Sequence, residues 1–166
     1  MRLKVVVEGI FPETGIELEN FEQRLILQKS IYLIQRLGID LGYRFSWYVH
    51  GPYAPDLTVA AFKYRDNAAY FDKCAEGYHL TEEGRSKVDI LRKLIDARPR
   101  MPEMPIDQWL ELLASIDYLK KVAYLPNIKV AKDNIAVSLN MYGKTKFDNS
   151  QIEASWDALI EHGFKG

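Results

Sequence analysis

Cysteine is nearly absent from this chain: Cys74 stands alone among 166 residues, so neither an intrachain disulfide nor a multi-thiolate metal site can form. A reducing compartment is the expectation. Long apolar runs are also lacking. The segment MRLKVVVEGIFPE has a positive end but is interrupted by Glu8, and no stretch approaches the roughly 20 apolar residues of a membrane span. The sequence therefore reads as cytoplasmic, without a signal peptide and without a membrane partner. Histidine occurs three times, at His50, His79 and His162, and never in HExxH or a comparable metal spacing. Gly38 and Gly42 make no phosphate loop, no serine sits in a nucleophile elbow, and carboxylates such as Asp40, Asp56 and Asp117 are scattered. Cys74 and His79 could pair as a nucleophile across a turn, but a small hydrophobic cysteine near a surface histidine is the plainer reading. The expectation is a protein that is not an enzyme and needs no cofactor or metal.

Charge of one sign is missing overall, with a net of −1, yet Arg85 to Lys146 holds 12 Lys/Arg against 7 Asp/Glu. Within it, Arg85, Lys87, Arg92, Lys93, Arg98 and Arg100 form a basic run. That run is either a solvated helix face, with Asp89 and Asp96 interleaved, or a surface meeting an acidic partner or phosphates.

What is present is an ordinary globular composition, 48 % hydrophobic and 27 % charged, with 12 % aromatics that include ten tyrosines. At this length folding removes roughly 68 to 70 % of the unfolded surface from water, enough for one core. Residues 2 to 10 could be strand or helix, and Pro12 ends them. Asn20 and Gln23 have capping-box spacing ahead of a helix that carries Phe21, Leu25, Leu27, Ile31, Ile34 and Leu37 and stops at Gly38. This helix is the expected centre of the core. Tyr43 to Val49 reads as an aromatic strand ended by Gly51-Pro52, and Pro55 starts a short helix over 56 to 64 with Leu57, Ala61 and Tyr64 inward. Two short strands are predicted at 69–71 and 78–80 around a turn at 75–77. Thr81 caps the next helix, with Glu82 and Glu83 on its dipole. The segment 98–105, with Pro99, Pro102 and Pro105, is the one linker. Beyond it, Ile106, Trp109, Leu112, Leu113, Ile116, Leu119 and Ala123 outline an amphipathic helix. Two shorter helices are expected at 129–141, capped by Asn127, and at 150–162, with a Ser150/Glu153 capping box. The fold class is mainly α (α+β): one domain over 1–166, with a winged-helix-like core at 20–98, a small β-hairpin, and an all-helical extension at 105–162.

The most informative stretch runs from Lys29 to Leu57, KSIYLIQRLGIDLGYRFSWYVHGPYAPDL. Its rigid Gly51-Pro52 turn presents Tyr48, His50, Tyr53 and Asp56. Tyrosines on a preordered turn suit a contact hot spot, or else the rings and Pro52 pin the turn to the helix before it.

The words Lys29-Ser-Ile-Tyr32-Leu33-Ile-Gln35 and His50-Gly51-Pro52-Tyr-Ala-Pro55-Asp-Leu57 resemble the signature of the Panacea domain, also called SocA-like, and of the related YwgA-like proteins. Those families place Lys-x-x-Tyr-Leu-x-Gln ahead of Tyr-Gly-Pro-x-x-Pro-x-Leu; here His50 replaces the tyrosine. The words Glu111-Leu-Leu-Ala-Ser-Ile-Asp-Tyr-Leu119 and Lys146-Phe147 are similar to the YwgA-like pattern in particular. The resemblance implies a mostly helical prokaryotic or phage protein that binds another protein: an antitoxin whose partner is a toxin, a proteolytic adaptor, or a defence-associated factor. The alternative is a DNA-binding winged-helix transcriptional regulator. Its recognition helix would be the one from Asp56 to Arg65 and its wing would carry Lys73, although Asp56 and Asp66 leave that helix near neutral. The oligomeric state is not legible.

Overall fold

The computed structural model describes residues 1–122 and 129–164; Ala123 and Asn127 lie outside the described residues. Among the described residues there are eight helices and one two-stranded antiparallel sheet. In chain order these are α1 (Arg2–Ile10), α2 (Phe21–Arg36), β1 (Ser46–Tyr48), β2 (Gly51–Tyr53), α3 (Pro55–Asp66), α4 (Ala68–Ala75), α5 (Glu82–Asp96), α6 (Ile106–Val122), α7 (Ile135–Met141) and α8 (Asn149–Glu161). No helix among the described residues is long and apolar enough to cross a membrane.

The residues at 2 to 10 settle as helix because Leu3, Val6, Val7 and Ile10 recur at three- and four-residue spacing and bury one side. In α2 both halves of the capping box form: Asn20 Oδ1 accepts from the Gln23 N–H at 2.8 Å and the Gln23 side chain returns to the Asn20 N–H. Gly38, at φ +106°, then turns the chain out of the helix. Thr81 caps α5 as expected, accepting from the Gly84 N–H.

α2 is only half of the core's centre. It packs along α6, which is buried on all sides from Trp109 to Asp117, so over that stretch the helix expected to be amphipathic has no polar outer face. Its charged residues Glu111 and Asp117 are each 1 % exposed and point to partners inside the protein. Trp109 donates from Nε1 to the Leu94 carbonyl oxygen at 2.9 Å, which fixes α6 against α5. One continuous cluster of buried side chains runs from Leu3 to Phe164.

The structure corrects four further expectations. The hairpin expected within 69–80 does not form: Ala68 to Ala75 is α4, and 78–80 is not strand. Ala68, Ala69 and Ala75 are strong helix formers, and the Tyr64 hydroxyl donating to Asp72 Oδ1 at 2.7 Å ties α4 back to α3. Lys73, placed on a wing by the sequence reading, lies in the last turn of a helix. The sheet instead lies at 46–53, and β1 is shorter than Tyr43–Val49. Gln35 occupies the backbone ahead of it, donating to the Tyr43 carbonyl and accepting from the N–H groups of Leu41 and Tyr43 at 2.9 to 3.1 Å. A side chain thus supplies the bonds a strand partner would have given. The helix expected from 129 begins at Ile135, after a turn in which Asn134 Oδ1 accepts from the Ala131 N–H. Finally, α8 is capped by Asp148 with Gln151, two residues earlier than the expected Ser150/Glu153 box.

Candidate functional site

β1 and β2 pair Ser46 with Tyr53, Trp47 with Pro52 and Tyr48 with Gly51, which leaves Val49 and His50 as a two-residue loop. Gly51 has φ +88°, and a Cβ built there would collide with Ser115 Oγ. Both the backbone conformation and the space therefore require glycine. Pro52, lacking an N–H, is tolerated because the ribbon has no third strand to receive one.

Charged side chains hold this tip from beneath. Lys29 of α2, 1 % exposed, donates to the Pro52 carbonyl oxygen at 2.6 Å. Lys144, which follows α7, donates to the Val49 carbonyl oxygen and to Glu111 Oε1, both at 2.7 Å. Lys146 donates to Glu111 Oε2 at 2.7 Å, and His50 Nδ1 lies 3.5 Å from Glu111 Oε1. Three lysines gather around one buried carboxylate. Burial opposes ionisation of Glu111, but hydrogen bonds from Lys144 and Lys146 win and hold its carboxyl below the usual range. Burial lowers Lys144, against the pull of Glu111. For Lys29 burial dominates over the attraction of Glu111, and its amine falls to about 7.

The same face of α2 fixes the flanks of the hairpin. The Gln28 side chain donates to the Ala54 carbonyl and accepts from the Ala54 N–H, both at 3.0 Å, as a neighbouring strand would. Tyr32 donates its hydroxyl to Asp117 Oδ2 at 2.7 Å, and Arg36 adds Nε to the same oxygen at 2.6 Å. Burial, followed by the Asp117 charge, raises the Tyr32 hydroxyl well above its ordinary value. Of the polar letters of the helix motif, Lys29 and Gln35 thus act on the backbone of the segment that follows them, while Tyr32 bonds Asp117 of α6.

Above this support the surface is apolar. Tyr48 is 62 % and Val49 69 % exposed, and Phe21, whose ring meets His50 edge-on at 5.0 Å, is 48 % exposed. Tyr142 sets its ring against Trp47 at 5.3 Å, and Trp47 itself is half-buried on Tyr118.

The four residues singled out in the turn divide into two pairs. Tyr48 and His50 are at the tip. Tyr53 is tied to the scaffold, its hydroxyl hydrogen-bonded to Thr58 Oγ1 at 3.0 Å and its ring 5.6 Å from that of Tyr48. Asp56 is exposed in the first turn of α3, where it complements the helix dipole. The six basic residues do not act alike. Arg85 and Arg92 border a groove beside α1 with Asp89 between them. Lys87 pairs with Glu83 at 2.6 Å, and Arg98 pairs with Glu103 at 2.8 Å. Lys93 and Arg100 are exposed.

Sequence reasoning missed Val49, Phe21, Lys144 and the role of Glu111 at this site. One signal was available: Glu111 stands among Trp109, Leu110, Leu112 and Leu113, and a charge inside an apolar run marks a buried pair. Among the described residues no group of three or more His, Cys, Asp or Glu side chains is placed to hold a metal ion. What the arrangement offers is a preordered, apolar contact surface over a cationic base. Compared with family models, with curated proteins and with solved structures, the chain matches none.

Proposed function

We propose that this protein is a non-catalytic protein-binding regulator, an antitoxin or defence-associated factor of the kind the Panacea and YwgA-like resemblance implies, and that the hairpin tip is its contact surface. The observation that carries the reading is the pairing of two exposed apolar residues at the hairpin tip, Tyr48 at the end of β1 and Val49 in the loop, with a backbone clamped by Lys29 and Lys144. A surface fixed before association loses little entropy on docking. The DNA-binding alternative draws less support. On α3, Arg65 is engaged by Asp66 at 3.0 Å and by the Phe62 ring, so phosphate contacts there start from a near-neutral surface.

The test is capture from lysate of the native host, quantified for the wild type and for Tyr48→Ser/Val49→Ser. Loss of one reproducible protein partner, with melting temperature changed little because both side chains are in solvent, supports the reading. Unchanged capture by the double variant refutes the assignment of the tip, and salt-sensitive retention on duplex DNA with no protein partner refutes the function.

A further inference from the structure

The hairpin tip carries more positive charge than the protein neutralises. Lys144 and Lys146 converge there, and among the described residues Glu111 is the only carboxylate within ion-pair distance of either. Lys144 spends donors on Val49 and Glu111 and is 3 % exposed. Lys146 differs. It has three N–H donors, its one acceptor among the described residues is Glu111 Oε2, and its side chain is 48 % exposed. His50 adds a ring edge 40 % exposed beside the same carboxylate. Through the shared Glu111 carboxylate this outward-facing cation is linked to Lys144, which holds the Val49 carbonyl, and to His50, whose ring meets Phe21.

Resting on the protein-binding reading above, we propose that the tip recognises an acidic, apolar peptide segment of its partner: an Asp or Glu carboxylate taken by Lys146 and His50, beside a large apolar side chain seated on Tyr48 and Val49. Charge complementarity selects this occupant. A second copy of the chain would bring an identical cationic tip against the first in a two-fold contact, like charge against like. A nucleic acid would use Lys146 but leave Tyr48 and Val49 facing a phosphate backbone, and one outward lysine is far short of the six to ten phosphate contacts of a strong footprint.

Selection from a random short-peptide library displayed on phage tests this, with Tyr48→Ser/Val49→Ser as the counter-selection. Peptides that depend on the tip should be enriched in Asp or Glu next to Leu, Ile or Phe. For the best of them, Lys146→Gln should weaken binding about fivefold, the scale of one partly exposed charge pair. Replacing the peptide's acid by its amide should weaken binding equally, and the two changes together should cost no more than either alone. Lys146→Arg should restore binding, and the melting temperature of each variant shows that the fold is kept. Tip-dependent peptides with no acidic bias, or with no coupling to Lys146, overturn this inference and leave the protein-binding reading standing. If no selected peptide depends on Tyr48 and Val49, both are overturned. Lys146-dependent binding of a short DNA duplex that displaces the peptides also overturns the inference, in favour of phosphate.

Discussion

Lys29→Met is the most direct probe of the support beneath the hairpin. The substitution keeps a long unbranched side chain and removes the amine that donates to the Pro52 carbonyl. Burial holds that amine at about 7, against an ordinary value of 10.5. The unfolded chain therefore binds a proton between these limits that the folded chain does not, and stability rises with pH across that window. Below pH 7 both states are protonated and the full cost of the buried charge is present. At about 1.4 kcal/mol per pH unit, the interval from about 7 to 10.5 corresponds to roughly 5 kcal/mol, of which about 2 kcal/mol is relieved between pH 7 and pH 9. The Tyr32 hydroxyl, raised well above its ordinary value of 10.0, affects stability only as pH approaches and passes that value, above the pH 7 to 9 interval. Methionine leaves the Pro52 carbonyl without its donor, at about 1–3 kcal/mol at every pH. Urea denaturation at pH 7, 8 and 9 should then show the wild type gaining about 2 kcal/mol more than Lys29→Met. Parallel profiles for the two proteins would show that Lys29 titrates as a solvated lysine and that the clamp has been misjudged.

Gly51→Ala should destabilise by about 2 kcal/mol or more, since it adds a Cβ at φ +88° that collides with Ser115 Oγ. Gly42→Ala, at φ +82° with nothing within 4 Å, should lose only the backbone component of about 1–2 kcal/mol; equal losses in chemical denaturation would remove Ser115 from the account. Leu33→Ala, at a fully buried position on α2, should cost about 2–5 kcal/mol through cavity formation. A loss below that range would mean that the α2–α6 interface collapses around the gap.

Local chemistry was readable wherever a few neighbouring residues decide the outcome. The Asn20/Gln23 box, the Gly38 stop, the Pro55 start and the Thr81 cap all involve partners within about four positions, and their geometry follows from the order of the residues alone. The aromatic pair Tyr70-Phe71 misled because a short apolar run is ambiguous between strand and helix, and contact with α3 and α1 decided it. The site itself depended on distance in sequence. The Lys-x-x-Tyr-Leu-x-Gln and Gly-Pro words draw attention to Lys29 and the hairpin turn, but the clamp joins Lys29 to Pro52, Lys144 to Val49 and Glu111 to Lys146 across 23, 95 and 35 positions. A lysine in a sequence defaults to a solvated surface. Only the packing of α6 against α2 and the return of the chain after α7 take Lys29, Glu111 and Lys144 out of water, beneath the exposed Tyr48 and Val49 proposed as a contact surface.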